Sequence, residues 1–124
     1  MKDINIEKTK YSLEVITDEE NGIVKMSGAS YPENAIEFFE PIIRWLNEYI
    51  EEVGEKLIME LKITYQNTSS SKMILDMIYI LEDYFEAGGD VKVIWFYEED
   101  DEDIYETGEE LMEDFELPFK IIAY

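Results

Sequence analysis

Leu57-Ile58-Met59-Glu60-Leu61-Lys62-Ile63-Thr64-Tyr65 followed by Gln66-Asn67-Thr68-Ser69-Ser70-Ser71-Lys72 is the stretch on which the fold turns. Leu57, Met59, Leu61, Ile63 and Tyr65 alternate with Ile58, Glu60, Lys62 and Thr64, the period of a β-strand with one mostly polar face. The polar run Gln66 to Ser71 then leads into Met73, Ile74, Met77, Leu81, Tyr84 and Phe85, whose 3/4 spacing predicts a helix with a core-facing stripe. Gly88-Gly89 supplies its C-terminal stop. A strand feeding a helix through a short loop is one half of a β–α–β unit, and the chain completes it downstream. Val91, Val93, Trp95 and Tyr97 alternate with Lys92, Ile94 and Phe96 as a second strand.

The pattern extends in both directions. The acidic run Glu98 to Asp103 opens a third helix reaching about Phe115, and Phe119 to Tyr124 closes the chain as a strand. Upstream, Ser12 to Thr17 and Ile23 to Gly28 are strand-like, with Asn21-Gly22 between them as a hairpin turn. Pro32 sits at the expected start of the first helix, which carries Ala35, Phe38, Phe39, Ile42, Leu46, Tyr49, Ile50 and Val53 at helical spacing. Pro41 falls inside it and predicts a kink or break, and Gly54 is the expected C-cap. The order is ββαβαβαβ. Such repeats imply parallel neighbours joined by right-handed crossovers. Lys62, Lys92 and Lys120 all fall opposite the apolar strand positions, so one sheet face lacks a helical cover. The fold class is therefore α/β, a mixed sheet with helices mainly on one face. Residues 1–124 are expected to form one domain.

Composition narrows the function. The 124 residues carry 10 Lys+Arg against 31 Asp+Glu, a net charge of −21, with no Cys and no His. No Cys/His zinc centre, thiol nucleophile, disulfide or Ser-His-Asp relay can be built from such a chain. The charge repels phosphate backbones and acidic lipid, so neither nucleic acid nor membrane is an expected partner. The N-terminus MKDINIEKTK has no apolar core of a signal peptide, and no apolar run approaches the ~20 residues of a membrane span. A cytoplasmic protein without a cofactor is the expectation.

Function in parallel-sheet folds collects where strands end and helices begin. The richest such junction is Asn67-Thr68-Ser69-Ser70-Ser71-Lys72, with four consecutive hydroxyls beside unsatisfied backbone N–H groups. Thr68 or Ser69 could cap the helix; alternatively a hydroxyl could accept a phosphoryl group, adding about −1.5 to −2 charges with Lys72 one turn away. The run Glu98-Glu99-Asp100-Asp101-Glu102-Asp103 lacks the spacing of a calcium loop and reads as a solvated helix start, so no metal ligand is assigned. Trp45 falls off the main stripe of the first helix and, with the Tyr31-Pro32-Glu33-Asn34 turn, is a candidate partner surface.

LKITYQNTSSSK, together with SYPENAIEFFEPIIRWL and the ending ELPFKIIAY, resembles the SiaC family of bacterial regulatory phosphoproteins from about Ser12 to Tyr124. The resemblance implies a fold similar to STAS-domain anti-sigma-factor antagonists. It also implies phosphorylation of the Thr of the Asn-Thr-Ser-Ser motif, here Thr68, with Asn67, Ser69, Ser70 and Lys72 shaping the switch loop. It further implies a kinase of anti-sigma-factor type, a PP2C-type phosphatase, and a diguanylate cyclase bound and activated by the unphosphorylated form. The expected protein is a non-catalytic signalling switch; a constitutive interaction module and a metal-dependent carboxylate enzyme are the alternatives.

Overall fold

A computed structural model describes all residues, 1–124. Its elements are β1 (Asn5–Ile6), β2 (Glu14–Asp18), β3 (Ile23–Ser30), α1 (Ala35–Glu52), β4 (Leu57–Gln66), α2 (Thr68–Glu86), β5 (Val91–Tyr97), α3 (Glu102–Glu113) and β6 (Phe119–Ala123). The order expected from sequence thus gains one strand. β1 is only two residues long, too short for an alternation to register, and pairs antiparallel through Asn5–Ile16 and Ile6–Val15. The six strands lie in chain order across one sheet. β2 and β3 are antiparallel, whereas β3–β4, β4–β5 and β5–β6 are parallel. Stepping always in the same direction with crossovers of one hand puts every helix on one face.

Burial follows that rule. Val15, Val24, Met26, Leu57, Met59, Leu61, Ile63, Val91, Val93 and Trp95 are buried on the helical side and join one core with Phe39, Ile42, Leu46, Met73, Ile74 and Met77. Their outward neighbours are half-buried or exposed.

Several local expectations are corrected. α1 begins at Ala35 rather than at Pro32, because Asn34 is the N-cap: its side chain accepts from Glu37 N at 3.1 Å. Pro41 does not break α1, which runs unbroken from Ala35 to Glu52. Proline removes one N–H bond, and the buried Phe39, Ile42 and Leu46 around it hold the helix against the sheet. α3 starts at Glu102, where Asp101 caps Ile104 N at 3.1 Å; Glu98 to Asp100 precede the helix. Trp45 is no partner surface: it is 2% exposed, stacks on Tyr49 with ring centroids 5.3 Å apart, and donates its indole N–H to Asp3 Oδ1 at 3.1 Å. It stands three residues after Ile42 and four before Tyr49, on the buried stripe itself.

The glycines end the helices one position later than expected for a cap: Val53 and Ala87 are the C-caps, and the glycines stand just past them. Gly54 (φ 61°) follows α1, and Gly88 (φ 98°) follows α2, each in backbone space that favours glycine. The β2–β3 turn spans Glu19 to Gly22, with only Gly22 at positive φ (65°), so it is not the two-residue Asn-Gly turn. The carbonyl of Gly22 accepts from Ile58 N at 2.8 Å and so fastens the turn to β4.

Candidate functional site

Where β3 and β4 end, a change of register brings two separate motifs together. Gly28 pairs with Ile63 but Ala29 with Tyr65, so β4 carries one extra residue, Thr64, and the strand ends are shifted accordingly. Ser30 then pairs with Gln66, and its carbonyl accepts from Asn67 N at 3.1 Å. The Ser30 to Asn34 turn and the Asn67 to Ser71 loop thus lie side by side. Tyr31 stacks on Tyr65 with centroids 4.4 Å apart and meets Tyr11 edge-on at 6.2 Å. All three tyrosines are exposed, at 43%, 46% and 59% respectively.

The hydroxyls at the start of α2 divide by environment. Asn67, rather than Thr68 or Ser69, is the N-cap, and its side-chain oxygen accepts from Ser70 N at 2.9 Å. Ser70 is fully buried, its hydroxyl 2.7 Å from that of Ser30. Ser71 is half-buried and accepts from Gln66 Nε2 at 2.8 Å. Thr68 and Ser69 remain exposed on the first turn. A group attached to Thr68 or Ser69 would extend into solvent without moving the core, whereas one on Ser70 would have to break it open.

A groove between the starts of α1 and α2 is lined by Glu33, Asn34, Ile36, Ser69, Lys72 and Met73. Ile36 is 68% exposed at its rim. Lys72 pairs with Asp76 at 3.2 Å, one turn further along α2 and in solvent. The structure therefore unites Tyr31, Glu33 and Asn34 with Thr68, Ser69 and Lys72, and removes Trp45 to the core. Tyr11, Tyr65 and Ile36 are additions. Tyr65 follows the sequence phase of the core-facing positions of β4, but the extra residue Thr64 sets it opposite Ala29, between the buried Gly28 and Ser30, and it is exposed. No group of three or more carboxylates is arranged to hold a metal, and no helix is long and apolar enough to cross a membrane.

The site is thus an exposed, hydroxyl-bearing helix start on a small α/β fold. The profile of the SiaC family, described as SiaC family regulatory phosphoprotein, matches residues 6–124, and the chain belongs to that family. SiaC of Pseudomonas aeruginosa superposes with a TM-score of 0.94 at 33% identity, covering the whole of both chains. The activator SiaC bound to the diguanylate cyclase SiaD of the same organism gives 0.96 at 34% identity, over 98% of this chain and all of that one. An uncharacterized protein of Pseudomonas aeruginosa strain UCBPP-PA14 is 34% identical over 124 residues, which is all of this chain and 98% of that protein.

Proposed function

We propose that the chain is a non-catalytic cytoplasmic phospho-switch in a partner-switching circuit, related in fold and logic to the STAS-domain anti-sigma-factor antagonists. A kinase of anti-sigma-factor type transfers the γ-phosphoryl group of ATP to Thr68. The Thr68 Oγ–P bond forms as the β–γ bond breaks, the hydroxyl proton leaves, and ADP departs. A PP2C-type phosphatase restores the hydroxyl by hydrolysis. The unphosphorylated form binds and regulates a downstream enzyme of the diguanylate cyclase class, as the relative crystallised with SiaD is the activator of that cyclase.

One observation carries the reading. Thr68 is an exposed hydroxyl on the first turn of α2, next in the chain to Ser69 of the Glu33–Lys72 groove and three residues after Tyr65, on which Tyr31 stacks. A dianion there meets favourable helix-end polarity and leaves the fold intact, while it changes the charge of the surface a partner would touch. Asn67 and Ser70 hold the loop in shape; Ser69 and Lys72 flank the modified group.

The test is intact mass and phosphopeptide mapping after incubation of the full chain with ATP and its cognate kinase. One phosphate on Thr68, retained in Ser69→Ala and absent in Thr68→Ala, supports the reading. Phosphate on another residue, or none from a kinase active on a second substrate, overturns the site. Binding of the cyclase equally to both forms leaves an interaction module with no switch.

A further inference from the structure

The sheet face turned away from the helices has a composition unlike the rest of the molecule. Its outward residues run in cross-strand rows set by register: Asp18, Ile23, Ile58 and Lys92 in one, and Ile16, Lys25, Glu60, Ile94 and Lys120 in the next. Glu14, Ser27 and Lys62 form a third row, its carboxylate on β2 at the edge of the face, and Phe96 pairs with Ile122 nearby. Lys25, Lys62, Lys92 and Lys120 are four of the chain's 10 cationic side chains, and within β3 to β6 they share this face with one carboxylate, Glu60. The chain has 31 carboxylates, so the concentration of lysine here is a segregation of charge.

None of these four ammonium groups pairs with a carboxylate. The two ion pairs are Arg44–Glu40 and Lys72–Asp76, both on helices. Lys62 instead lies 4.1 Å above the Tyr124 ring, beside a recess that Lys8, Lys10 and Thr64 also line and that Glu98 borders. Between the lysines stand Ile58, Ile94 and Phe96, half-buried, and Ile122, 39% exposed. A face meant only to be wet gains nothing from isoleucine and phenylalanine; a docking face gains from both kinds of residue.

We infer that this open face of β3 to β6 is a docking surface for an acidic amphipathic helix of a partner protein. Three inter-strand spacings make it about 14 Å wide, which suits one helix of ~10–12 Å diameter. Carboxylates along such a helix would meet the unpaired lysines, and its apolar stripe would cover Ile94 and Phe96. A second copy docked face to face would oppose lysine to lysine across much of the contact. A lipid surface or nucleic acid would feel the full −21 charge over a wide area. The inference does not depend on Thr68.

The experiment titrates a fluorescein-labelled 18-residue synthetic helix, with leucines at 3/4 spacing and glutamates elsewhere, against the full chain by anisotropy. The expected result is saturable binding that weakens with salt and falls roughly tenfold in Lys92→Glu/Lys120→Glu. The milder Lys92→Gln/Lys120→Gln guards against misfolding and falls by less. Amide shift changes should map to the outward residues of β3 to β6. No binding of the peptide, equal affinity in both variants, or shifts confined to α1 and α2 would overturn the inference. So would preferential binding of phosphatidylglycerol vesicles or duplex DNA, or a dimer in sedimentation that the charge reversal abolishes.

Discussion

The hydroxyls of Ser30, the last residue of β3, and Ser70, in the first turn of α2, lie 2.7 Å apart and neither side chain is accessible to solvent. This pair fastens the Tyr31–Asn34 turn to the Thr68 loop. Ser70→Ala strands the Ser30 hydroxyl, and an unsatisfied buried polar group costs about 1–3 kcal/mol. The double variant Ser30→Ala/Ser70→Ala removes both groups and should recover part of that loss. A double-mutant cycle by urea denaturation measures the coupling; strictly additive losses would contradict it.

Asn67 and Thr68 are neighbours in different settings, one capping α2 and the other exposed. Asn67→Ala removes the cap bond to Ser70 N and should lower stability by about 1 kcal/mol. Thr68→Ala touches an exposed position and should stay within about 0.5 kcal/mol of the parent. Thermal unfolding of the two variants separates the capping residue from the proposed switch residue.

Glu82 is a buried glutamate with a structural assignment. Its carboxylate accepts from Glu116 N at 3.0 Å and Leu117 N at 2.9 Å, anchoring the turn between α3 and β6. Glu82→Ala leaves both N–H groups without their partner and should cost roughly 2–3 kcal/mol. Glu82→Gln keeps an acceptor and should cost less. Amide exchange at Glu116 and Leu117 should quicken most in Glu82→Ala.

Tyr49 and Tyr84 clamp consecutive carbonyls ahead of β4. Tyr49 donates to Lys56 O at 2.6 Å and Tyr84 to Glu55 O at 2.7 Å. Burial first, and then neighbouring groups including Glu55, raise both phenols above their ordinary value of 10. The neutral phenol is therefore favoured in the fold. This contribution is complete below the unfolded pKa and is lost as pH rises through the folded one. Stability measured above pH 10 should fall less steeply in Tyr49→Phe/Tyr84→Phe than in the parent. An unchanged slope would contradict the assignment.

Tyr31 links the turn before α1 to the end of β4 through its stack on Tyr65. If this surface receives the downstream partner, Tyr31→Ala should weaken cyclase binding by at least roughly tenfold, the range of an aromatic anchor. The melting temperature should change little, since the ring is 43% exposed. Unaltered binding in pull-down and calorimetry would move the contact elsewhere.

Much of the architecture was legible from periodicity. Alternation in Leu57–Ile63 and Val91–Trp95 told which side of the sheet is buried, and the lysines at 62, 92 and 120 told which side is open. Helix ends at Gly54 and Gly88 were readable because few residues tolerate positive φ. Of the site, the Thr68 loop and the Tyr31–Asn34 turn were found as separate segments. Pro41 misled, because local propensity predicts a break that packing against the sheet overrides. Trp45 misled because a helical stripe is wide enough to hold positions 42, 45, 46 and 49 together.

The sequence by itself determined the order of the strands and helices apart from the two-residue β1, the one-sided sheet, and the exclusion of thiol and histidine chemistry. These follow from patterns that repeat every two or three to four residues, so neighbours in the chain carry the information. Only the tertiary structure decided which hydroxyl is sealed, that Tyr31 stacks on Tyr65, and what Trp45 and Glu82 hold. Those answers rest on pairs far apart in the chain: Ser30 with Ser70, 40 residues on, Trp45 with Asp3, 42 apart, and Glu82 with Leu117, 35 apart. No local period encodes such a contact; it exists only once the register of β3 on β4 and the seat of each helix on the sheet are set.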